Sequence, residues 1–382
     1  MSLQLTDIIE ELIRPEVKQL PLYDAGYSPS IIKQRYHLAS VAKLSNNENP
    51  LGISNKVIAF LADKIHTLGN YPDPYSRELC QQIAQHLAVC ADNIIIGNGS
   101  ENILELLCQS FLNPNDCVLT QAPCFGLHEI FPLMMGAKVH KIPSDEYAKI
   151  DIKPWLIALK QPIKMLLVSN PSNPMGNIFN CTQLSALIDN ASDDTLLVID
   201  EAYYEYAMED TDYPDALELL RHKQRPWIVL RTFSKAYGLA GLRVGYGIAS
   251  DQRIIQTLHK VRTPYNINYL AQEAAKLALL DQAHLNKSIH HAKTERDRLR
   301  NALIEKNYFV APSHTNFLFI NCFANTSMVI DQLAEQGIIV KGCKEAGYES
   351  FIRISIGLKH ENTHFLVAFD QVMKNIKEIK KY

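Results

Sequence analysis

The sequence has no long apolar run, no excess of charge of one sign and no internal repeat or low-complexity tract. A transmembrane helix needs about 20 consecutive apolar residues, so none is expected. The N-terminal segment mixes charged and apolar residues and lacks an apolar core, so we expect no signal peptide. A net charge of −3 offers no basic surface for nucleic acid or for a membrane, and we expect neither as a partner.

Cysteine pairs with C-x-x-C spacing are also absent. The eight cysteines are scattered among apolar neighbours, as buried free thiols are. This pattern favours a reducing compartment, and we expect a cytoplasmic protein. A chain of 382 residues can bury cores large enough to be stable without disulfides or structural metal ions.

Short apolar runs alternate with helical segments from about residue 77 onward. Each run is rich in Val, Ile and Leu and is followed by polar or Gly-rich sequence; the runs are Ile94–Ile96, Met165–Val168, Leu196–Ile199 and Ile228–Leu230. Buried parallel strands joined by helical crossovers have this pattern. The sequence therefore predicts an α/β fold with a mostly parallel central sheet.

The C-terminal part has a different character. A long charged helical stretch covers roughly residues 270–305, and shorter strand-like segments follow it. This pattern predicts a smaller α+β domain. We predict a large domain formed by residues 46–268 and a small domain formed by residues 1–45 together with residues 269–382.

Polar side chains follow three of the predicted strands. Asn173, Asp200 and Lys235 come after the second, third and fourth apolar runs. Taken singly, they are also explained by a turn, a helix cap and a solvated charge. Because the carboxyl ends of parallel strands line one crevice in which ligands bind, their combination predicts a shared site.

Further motifs match a known family in order and spacing. They are Asn46-Asn47-Glu48-Asn49-Pro50, Tyr71-Pro72, Gly97-Asn98-Gly99-Ser100-Glu101, Ser234-Lys235 with Arg243 eight positions on, Asn316-Phe317-Leu318-Phe319 and Ile352-Arg353-Ile354. With them the sequence resembles, over nearly its whole length, the fold-type-I pyridoxal-phosphate (PLP) aminotransferases, specifically their histidinol-phosphate aminotransferase branch. The resemblance implies PLP as cofactor and a homodimer with shared active sites.

The resemblance also implies roles for the residues at the strand ends. Lys235 would hold PLP as a Schiff base and, once released, carry the proton of the reaction, which requires a lowered pKa. Asp200 would keep the ring nitrogen of PLP protonated. Asn173 and Tyr203 would donate hydrogen bonds to the phenolic oxygen of the ring. We therefore predict Lys235, Asp200 and Tyr203 as the catalytic residues.

The remaining cofactor contacts follow from the same resemblance. Backbone N–H groups at the start of a helix, hydroxyls and a guanidinium suit the cofactor phosphate. The residues in question are Ser100, Glu101, Thr232, Ser234 and Arg243, with Tyr71 reaching the phosphate of the partner subunit. Phe125 would stack on the ring, in a position where the family usually has tyrosine; an ordinary core phenylalanine is the alternative.

Substrate contacts are implied for Tyr23, Asn49, Asn173, Lys341 and Arg353. Arg353 lies within a short apolar strand and needs a partner, either a substrate anion or a structural ion pair. The branch usually has arginine where this chain has Lys341, which offers charge without a bidentate fork.

These features predict amino-group transfer between L-histidinol phosphate and 2-oxoglutarate, a step of histidine biosynthesis. The alternatives are the same chemistry on aromatic amino acids and a PLP-dependent decarboxylation of threonine phosphate. A transcription regulator with an aminotransferase-like domain is a further alternative. The roughly 45 residues before the first motif are not basic, which argues against that class.

The sequence His360-Glu361-Asn362-Thr363-His364 matches the H-E-x-x-H pattern of zinc proteases. A zinc site needs this pattern within a helix and a third ligand arranged around it. Here the pattern directly follows a predicted strand and Gly357, where a helix would start. We therefore predict no metal site.

Overall fold

The computed structural model describes residues 8–22, 26–145 and 148–379, and for residues 377–379 it describes the backbone alone. The strands are β1 (Ala42–Lys43), β2 (Ile94–Gly97), β3 (Cys117–Ala122), β4 (Lys138–Pro143), β5 (Met165–Ser169), β6 (Leu196–Asp200), β7 (Trp227–Thr232), β8 (Gly245–Ala249), β9 (Phe309–Val310), β10 (Phe317–Asn321), β11 (Ile338–Ile339), β12 (Lys341–Gly342) and β13 (Phe351–Ser355).

The α-helices cover Pro15–Lys18, Pro29–Arg35, Asn55–Lys64, Arg77–Leu87, Ser100–Phe111, Leu127–Met134, Ile152–Ala158, Cys181–Asn190, Tyr204–Ala207, Ala216–Leu220, Gln252–Val261, Tyr269–Leu280, Gln282–Glu305, Thr326–Glu335 and Lys359–Ile379. Residues 8–12 are also helical. In the described ranges, no helix has both the length and the apolar sequence needed to cross a lipid bilayer.

Within the described residues, seven strands form the central sheet in the order β2-β8-β7-β6-β5-β3-β4. Every neighbouring pair is parallel except the two that β8 makes with β2 and β7. The predicted mostly parallel sheet is thus confirmed. Strands β5, β6 and β7 are buried along their whole length, which explains their nearly uninterrupted aliphatic sequence.

Strands β3, β4 and β8 were not named from the sequence. Strand β4 forms an edge of the sheet and is mostly solvent-accessible, so charged side chains interrupt its apolar pattern. Strand β8 contains two glycines. A Cβ atom on Gly245 would clash with the backbone nitrogen of Ser100, so this glycine allows the helix Ser100–Phe111 to begin directly against the sheet.

The smaller sheet is antiparallel and has the order β12-β13-β10-β9. It packs with the helices Thr326–Glu335 and Lys359–Ile379 around an apolar core of its own. Strand β1 pairs with β11 in parallel, which brings Ala42 and Leu44 into that core. The N-terminal segment therefore packs with the C-terminal part of the chain.

The helical stretch predicted for residues 270–305 is two helices that meet at Asp281. The Asp281 carboxylate accepts a hydrogen bond from the Ser54 hydroxyl and pairs with Lys56. The core around the large sheet includes buried residues from both helices, as far along the chain as Ala292. The division after residue 268 stays a prediction, and this packing favours a later boundary, within Gln282–Glu305.

A buried ion-pair network lies beneath the carboxyl ends of β6 and β7. Arg231, on β7, is 1% exposed; its Nε donates to the Glu201 carboxylate at 2.9 Å and its Nη2 pairs with Asp215 at 3.0 Å. Glu201, fully buried, also accepts a hydrogen bond from the Tyr213 hydroxyl at 2.9 Å. The network joins the residue that follows β6 to the neighbouring strand, close to Asp200.

Replacing Glu201 with alanine would leave the Arg231 guanidinium buried beside a single carboxylate. We expect Glu201→Ala to lower the free energy of unfolding by about 3–5 kcal/mol, as is usual when one partner of a buried ion pair is removed. Urea denaturation measures this loss. The control, Glu218→Ala, removes the partner of Arg221 from a largely exposed position and should cost at most about 1 kcal/mol. Equal losses in the two variants would contradict a stabilising role for the network.

Candidate active site

The parallel register of β5, β6 and β7 brings three polar side chains to one edge of the sheet. Ser169 at the end of β5 is aligned with Asp200, and Asp200 is aligned with Leu230 on β7. Asn173 and Lys235 follow β5 and β7 within a few residues. The amide, the carboxylate and the amine therefore lie at the adjoining carboxyl ends of three strands, where α/β sheets bind ligands.

Lys235 has a perturbed amine. Its Nζ donates a hydrogen bond to the Asn46 carbonyl at 3.1 Å and lies 5.9 Å from the centre of the Tyr203 ring. Desolvation, together with the positive charge of Arg353, lowers the pKa of Lys235 to about 8. A substantial share of this amine is thus neutral near pH 8, as a nucleophile or a general base requires.

Asp200 is paired with a histidine that the sequence analysis missed. One Asp200 carboxylate oxygen lies 2.9 Å from Nε2 of the fully buried His128, and the other accepts the Ala202 N–H at 3.0 Å. The Phe125 ring meets the His128 ring edge-to-face at 5.6 Å. In the sequence, His128 is marked only by its spacing from Phe125 at the start of a helix. That spacing predicts no contact with Asp200 unless the two segments are known to be close.

Tyr203 and Asn173 follow β6 and β5, and each bonds a side chain from another part of the chain. Tyr203 is buried, and its hydroxyl accepts a hydrogen bond from the Asn47 side-chain amide at 2.8 Å. The Asn173 carbonyl oxygen accepts one from Arg353 Nη1 at 2.6 Å. Arg353 Nη2 donates to the Ser45 carbonyl at 2.6 Å, so Arg353 connects the small sheet to the loop that carries Asn173.

A cup suited to a phosphate lies at the start of the helix Ser100–Phe111. The Thr232 and Ser234 hydroxyls are 3.0 Å apart, and Arg243 Nη1 is 3.4 Å from Ser234 Oγ. Gly99 precedes the helix with φ +80°, and a Cβ atom there would fall against the Arg243 guanidinium. Helix N–H groups, hydroxyls and a guanidinium therefore converge on one point, a combination that fits the phosphate of a cofactor.

Glu101 has a different contact from the one expected. Its carboxylate pairs with Arg243 Nη2 at 2.7 Å, and both side chains are partly exposed. The carboxylate itself would repel a phosphate, so a contact from Glu101 to that group would have to come from its backbone N–H. The ion pair holds the Arg243 guanidinium in front of the helix.

The side chain of Asn49 is engaged in the loop next to Lys235. Its amide donates to the Ala236 carbonyl and to the Ser288 hydroxyl, both at 2.9 Å, and its carbonyl oxygen accepts the Leu51 N–H at 3.0 Å. These bonds hold the loop that contains Asn46 against the segment that contains Lys235. A direct contact between Asn49 and a substrate stays a prediction.

Lys341, an expected substrate contact, lies on an edge strand of the small sheet, and Tyr71, expected at the partner's cofactor phosphate, lies on the surface. Lys341 on β12 is aligned with Arg353 on β13, so two positive charges are neighbours. Tyr71 is 82% exposed and stacks on Tyr265 at 4.5 Å. Tyr23 lies outside the described residues.

The H-E-x-x-H sequence lies in the first turns of the helix Lys359–Ile379. The Glu361 carboxylate accepts the Leu358 N–H at 2.7 Å and so caps that helix. Among the described residues, no three His, Cys, Asp or Glu side chains are grouped so that they could hold a metal ion.

Comparison with known proteins agrees with this geometry. The family model for aminotransferase class I and II matches residues 39–369. The chain belongs to this aminotransferase family. It is 43% identical to histidinol-phosphate aminotransferase 1 of Mesorhizobium japonicum, over 95% of this chain and 99% of that protein. It is 35% identical to histidinol-phosphate aminotransferase of Geobacillus thermodenitrificans, over 95% of this chain and 98% of that protein.

A solved aminotransferase has the same fold. The crystal structure of histidinol-phosphate aminotransferase from Sinorhizobium meliloti, in complex with pyridoxal-5'-phosphate, matches with a TM-score of 0.86 at 26% identity. The match covers 95% of this chain and 98% of that one. Fold and family are therefore those that the sequence motifs indicated.

The lowered pKa of Lys235 can be tested in the cofactor-free aminotransferase. We expect its rate of acetylation by acetic anhydride, followed by mass spectrometry of the Lys235 peptide, to rise with pH around a midpoint near 8. Arg353→Met should move this midpoint upward, because removing a nearby positive charge favours the protonated amine. Arg253→Met, a change at a largely exposed ion pair, should leave it in place. A midpoint above 10 in the unchanged protein would contradict the desolvated environment.

Proposed function

We propose that this aminotransferase uses PLP to transfer the amino group of L-histidinol phosphate to 2-oxoglutarate, yielding imidazole-acetol phosphate and L-glutamate. The observation that carries the proposal is a lysine of lowered pKa between a carboxylate–histidine pair and a phosphate cup. The names of its relatives, two of them 43% and 35% identical to it, support the choice of substrate and the place in histidine biosynthesis.

The residues of the cup and of the strand ends would hold the cofactor. Ser100, Thr232, Ser234 and Arg243 would bind its phosphate, with Glu101 contributing its backbone N–H. Lys235 would hold its aldehyde carbon covalently through Nζ. When bound, PLP supplies a protonated ring that accepts the electron pair left on the substrate carbon.

Asp200 would place its carboxylate beside the ring nitrogen. The His128 Nε2 donates to an oxygen of this carboxylate and fixes its direction. Tyr203 and Asn173 would contact the phenolic oxygen of the ring, with the Asn47 amide holding the Tyr203 hydroxyl in place. Phe125, next to His128, would cover one face of the ring.

Lys235 would also move the proton. Its Nζ has a pKa of about 8 in the chain without cofactor, and as a free amine it would be a base of moderate strength. It would take the proton from the substrate carbon and return it to the cofactor side of the bond. A general base of this kind contributes about 10²–10⁴-fold to a rate.

Two neighbouring positive charges would bind the anionic end of each substrate. Arg353 and Lys341 are aligned across β13 and β12, and Tyr23 and Asn49 are proposed to complete the pocket. Arginine can bind a phosphate or a carboxylate through two parallel hydrogen bonds, whereas lysine adds a point charge. One pocket would thus serve the phosphate of histidinol phosphate and a carboxylate of 2-oxoglutarate in turn.

We also propose a homodimer in which Tyr71 reaches the phosphate cup of the partner. Its exposed ring stacks on the exposed Tyr265 at 4.5 Å, and Ile58, Ile65 and Leu68, shortly before it in the sequence, are exposed apolar side chains as well. Exposed apolar side chains gathered in this way mark protein interfaces. A cytoplasmic location is proposed because all eight cysteines are free thiols.

The half-reaction with the amino donor tests the substrate. L-histidinol phosphate, phenylalanine or threonine phosphate is added to the yellow holoenzyme, and the loss of visible absorbance is followed by stopped flow. We expect histidinol phosphate to react fastest. A faster reaction with phenylalanine would make this an aromatic aminotransferase, and release of carbon dioxide from threonine phosphate would make it a decarboxylase.

The variant Lys235→Ala is the control for the chemistry. It should slow the half-reaction by at least about 10²–10⁴-fold with every donor, because it removes the proton carrier. Activity that survives this change would overturn the mechanism, whatever the preferred donor.

Shared sites can be tested by complementation. Tyr71→Ala and Lys235→Ala chains are each expected to be impaired, and the proteins should sediment at twice the mass of one chain. When the two chains are co-expressed, one site of each mixed dimer has both native residues, so activity should return. No recovery in mixed dimers isolated with two affinity tags would mean that Tyr71 acts within its own chain.

A further inference from the structure

A carboxylate from the small sheet reaches the loop that carries Phe125. Glu345 lies in the loop between β12 and β13, yet its carboxylate accepts the backbone N–H of Cys124 at 3.1 Å. The same carboxylate pairs with Lys141 on β4 at 2.8 Å. The Glu345 side chain is 15% exposed, so these bonds are only weakly screened by solvent.

The contact belongs to a broader attachment of this loop to the large domain. The Tyr348 hydroxyl donates to the Ser144 carbonyl at 2.9 Å. The Tyr348 ring packs in an apolar cluster with Phe351 and Phe319 of the small sheet and with Met175, two residues after Asn173. The loop therefore crosses from the strands that carry Lys341 and Arg353 to the strand ends of the large sheet.

The bond to Cys124 acts on the part of the site that faces the cofactor ring. Cys124 directly precedes Phe125, whose ring contacts His128, and His128 bonds Asp200. Cys124 is not in a strand or helix, and its N–H donates instead to the Glu345 carboxylate. The direction of the Phe125 ring thus depends on a residue more than 200 positions further along the chain.

We propose that Glu345 is a positioning residue that holds the Phe125 loop against the small domain and so orients Phe125 over the cofactor. The proposal rests on the proposed function, since it assigns Phe125 to the ring of PLP. It adds a physical link between the strands that would bind the substrate anion and the aromatic ring that would cover the cofactor.

Three variants distinguish this positioning role of Glu345 from a general loss of stability. Glu345→Ala removes the acceptor of the Cys124 N–H and the partner of Lys141. Glu345→Gln keeps an acceptor for the N–H but loses the ion pair. Glu129→Gln is the matched control, because it removes the other carboxylate partner of Lys141, at 2.9 Å, and leaves the Glu345 contact in place.

The first measurement is amide hydrogen exchange of the peptide that contains Cys124 and Phe125, in protein with and without PLP. We expect exchange at Cys124 to rise about tenfold or more in Glu345→Ala, the size of effect that a charge-assisted hydrogen bond supports. Glu345→Gln should be intermediate and Glu129→Gln unchanged. Unchanged exchange in Glu345→Ala, or an equal rise in Glu129→Gln, would overturn the proposal.

The second measurement is the visible circular dichroism of the bound cofactor, which reports the asymmetry of its surroundings. Glu345→Ala should reduce this signal at full cofactor occupancy, Glu345→Gln should restore most of it, and Glu129→Gln should match the unchanged protein. A wild-type signal in Glu345→Ala would overturn the proposal and leave the proposed function standing. If PLP does not bind covalently to Lys235, the proposed function is wrong instead. The exchange experiment without cofactor would still show whether Glu345 holds the Cys124 N–H.

Discussion

The parallel hydrogen-bonding register of β5, β6 and β7 is the constraint on which the rest of the site depends. It aligns three strand ends, so that residues far apart in the chain emerge at one edge of the sheet. The strands are buried on both faces, and their aliphatic side chains fix them in the core. The buried pair of Arg231 and Glu201 joins two of these ends from beneath. A shift of one strand would separate Asp200 from its neighbours.

The charges around Lys235 suit an amine that acts both as a nucleophile and as a base. Arg353 and Arg243 lower its pKa, and desolvation contributes most. The Asp200 carboxylate bonds His128. The Lys235 Nζ donates to the Asn46 carbonyl, an acceptor without charge, so the amine can serve as nucleophile and as base.

The candidate site draws side chains from both the large and the small sheet. Arg353 comes from the small sheet but bonds Asn173 and the Ser45 carbonyl. Met175 is buried in an apolar cluster with Phe319 and Phe351 of the small sheet. The pocket is thus complete only where residues of the two sheets pack together. A substitution at this contact would alter the positions of the groups around the cofactor.

Much of this protein could be predicted from local sequence. Short aliphatic runs between helices identify the parallel sheet, because buried strands need apolar side chains on both faces. The residues just after those runs point to the site, because strand ends face the ligand crevice. Asn173, Asp200 and Lys235 were identified in this way, and the structure brings them to neighbouring strand ends. Arg243 and Ser100 were identified from the resemblance. Their roles toward a cofactor follow from resemblance.

Only the tertiary structure decided which distant groups meet. The pairing of His128 with Asp200, the bond from Glu345 to Cys124 and the interior bonds of Asn49 all join residues that no local pattern connects. The antiparallel course of β8 and the break between the last two helices of the larger core are likewise set by packing. The physical reason is the same in each case. Local sequence specifies strands, helices and turns through short-range sterics and periodicity, whereas hydrogen-bond partners and charge environments depend on how those elements pack.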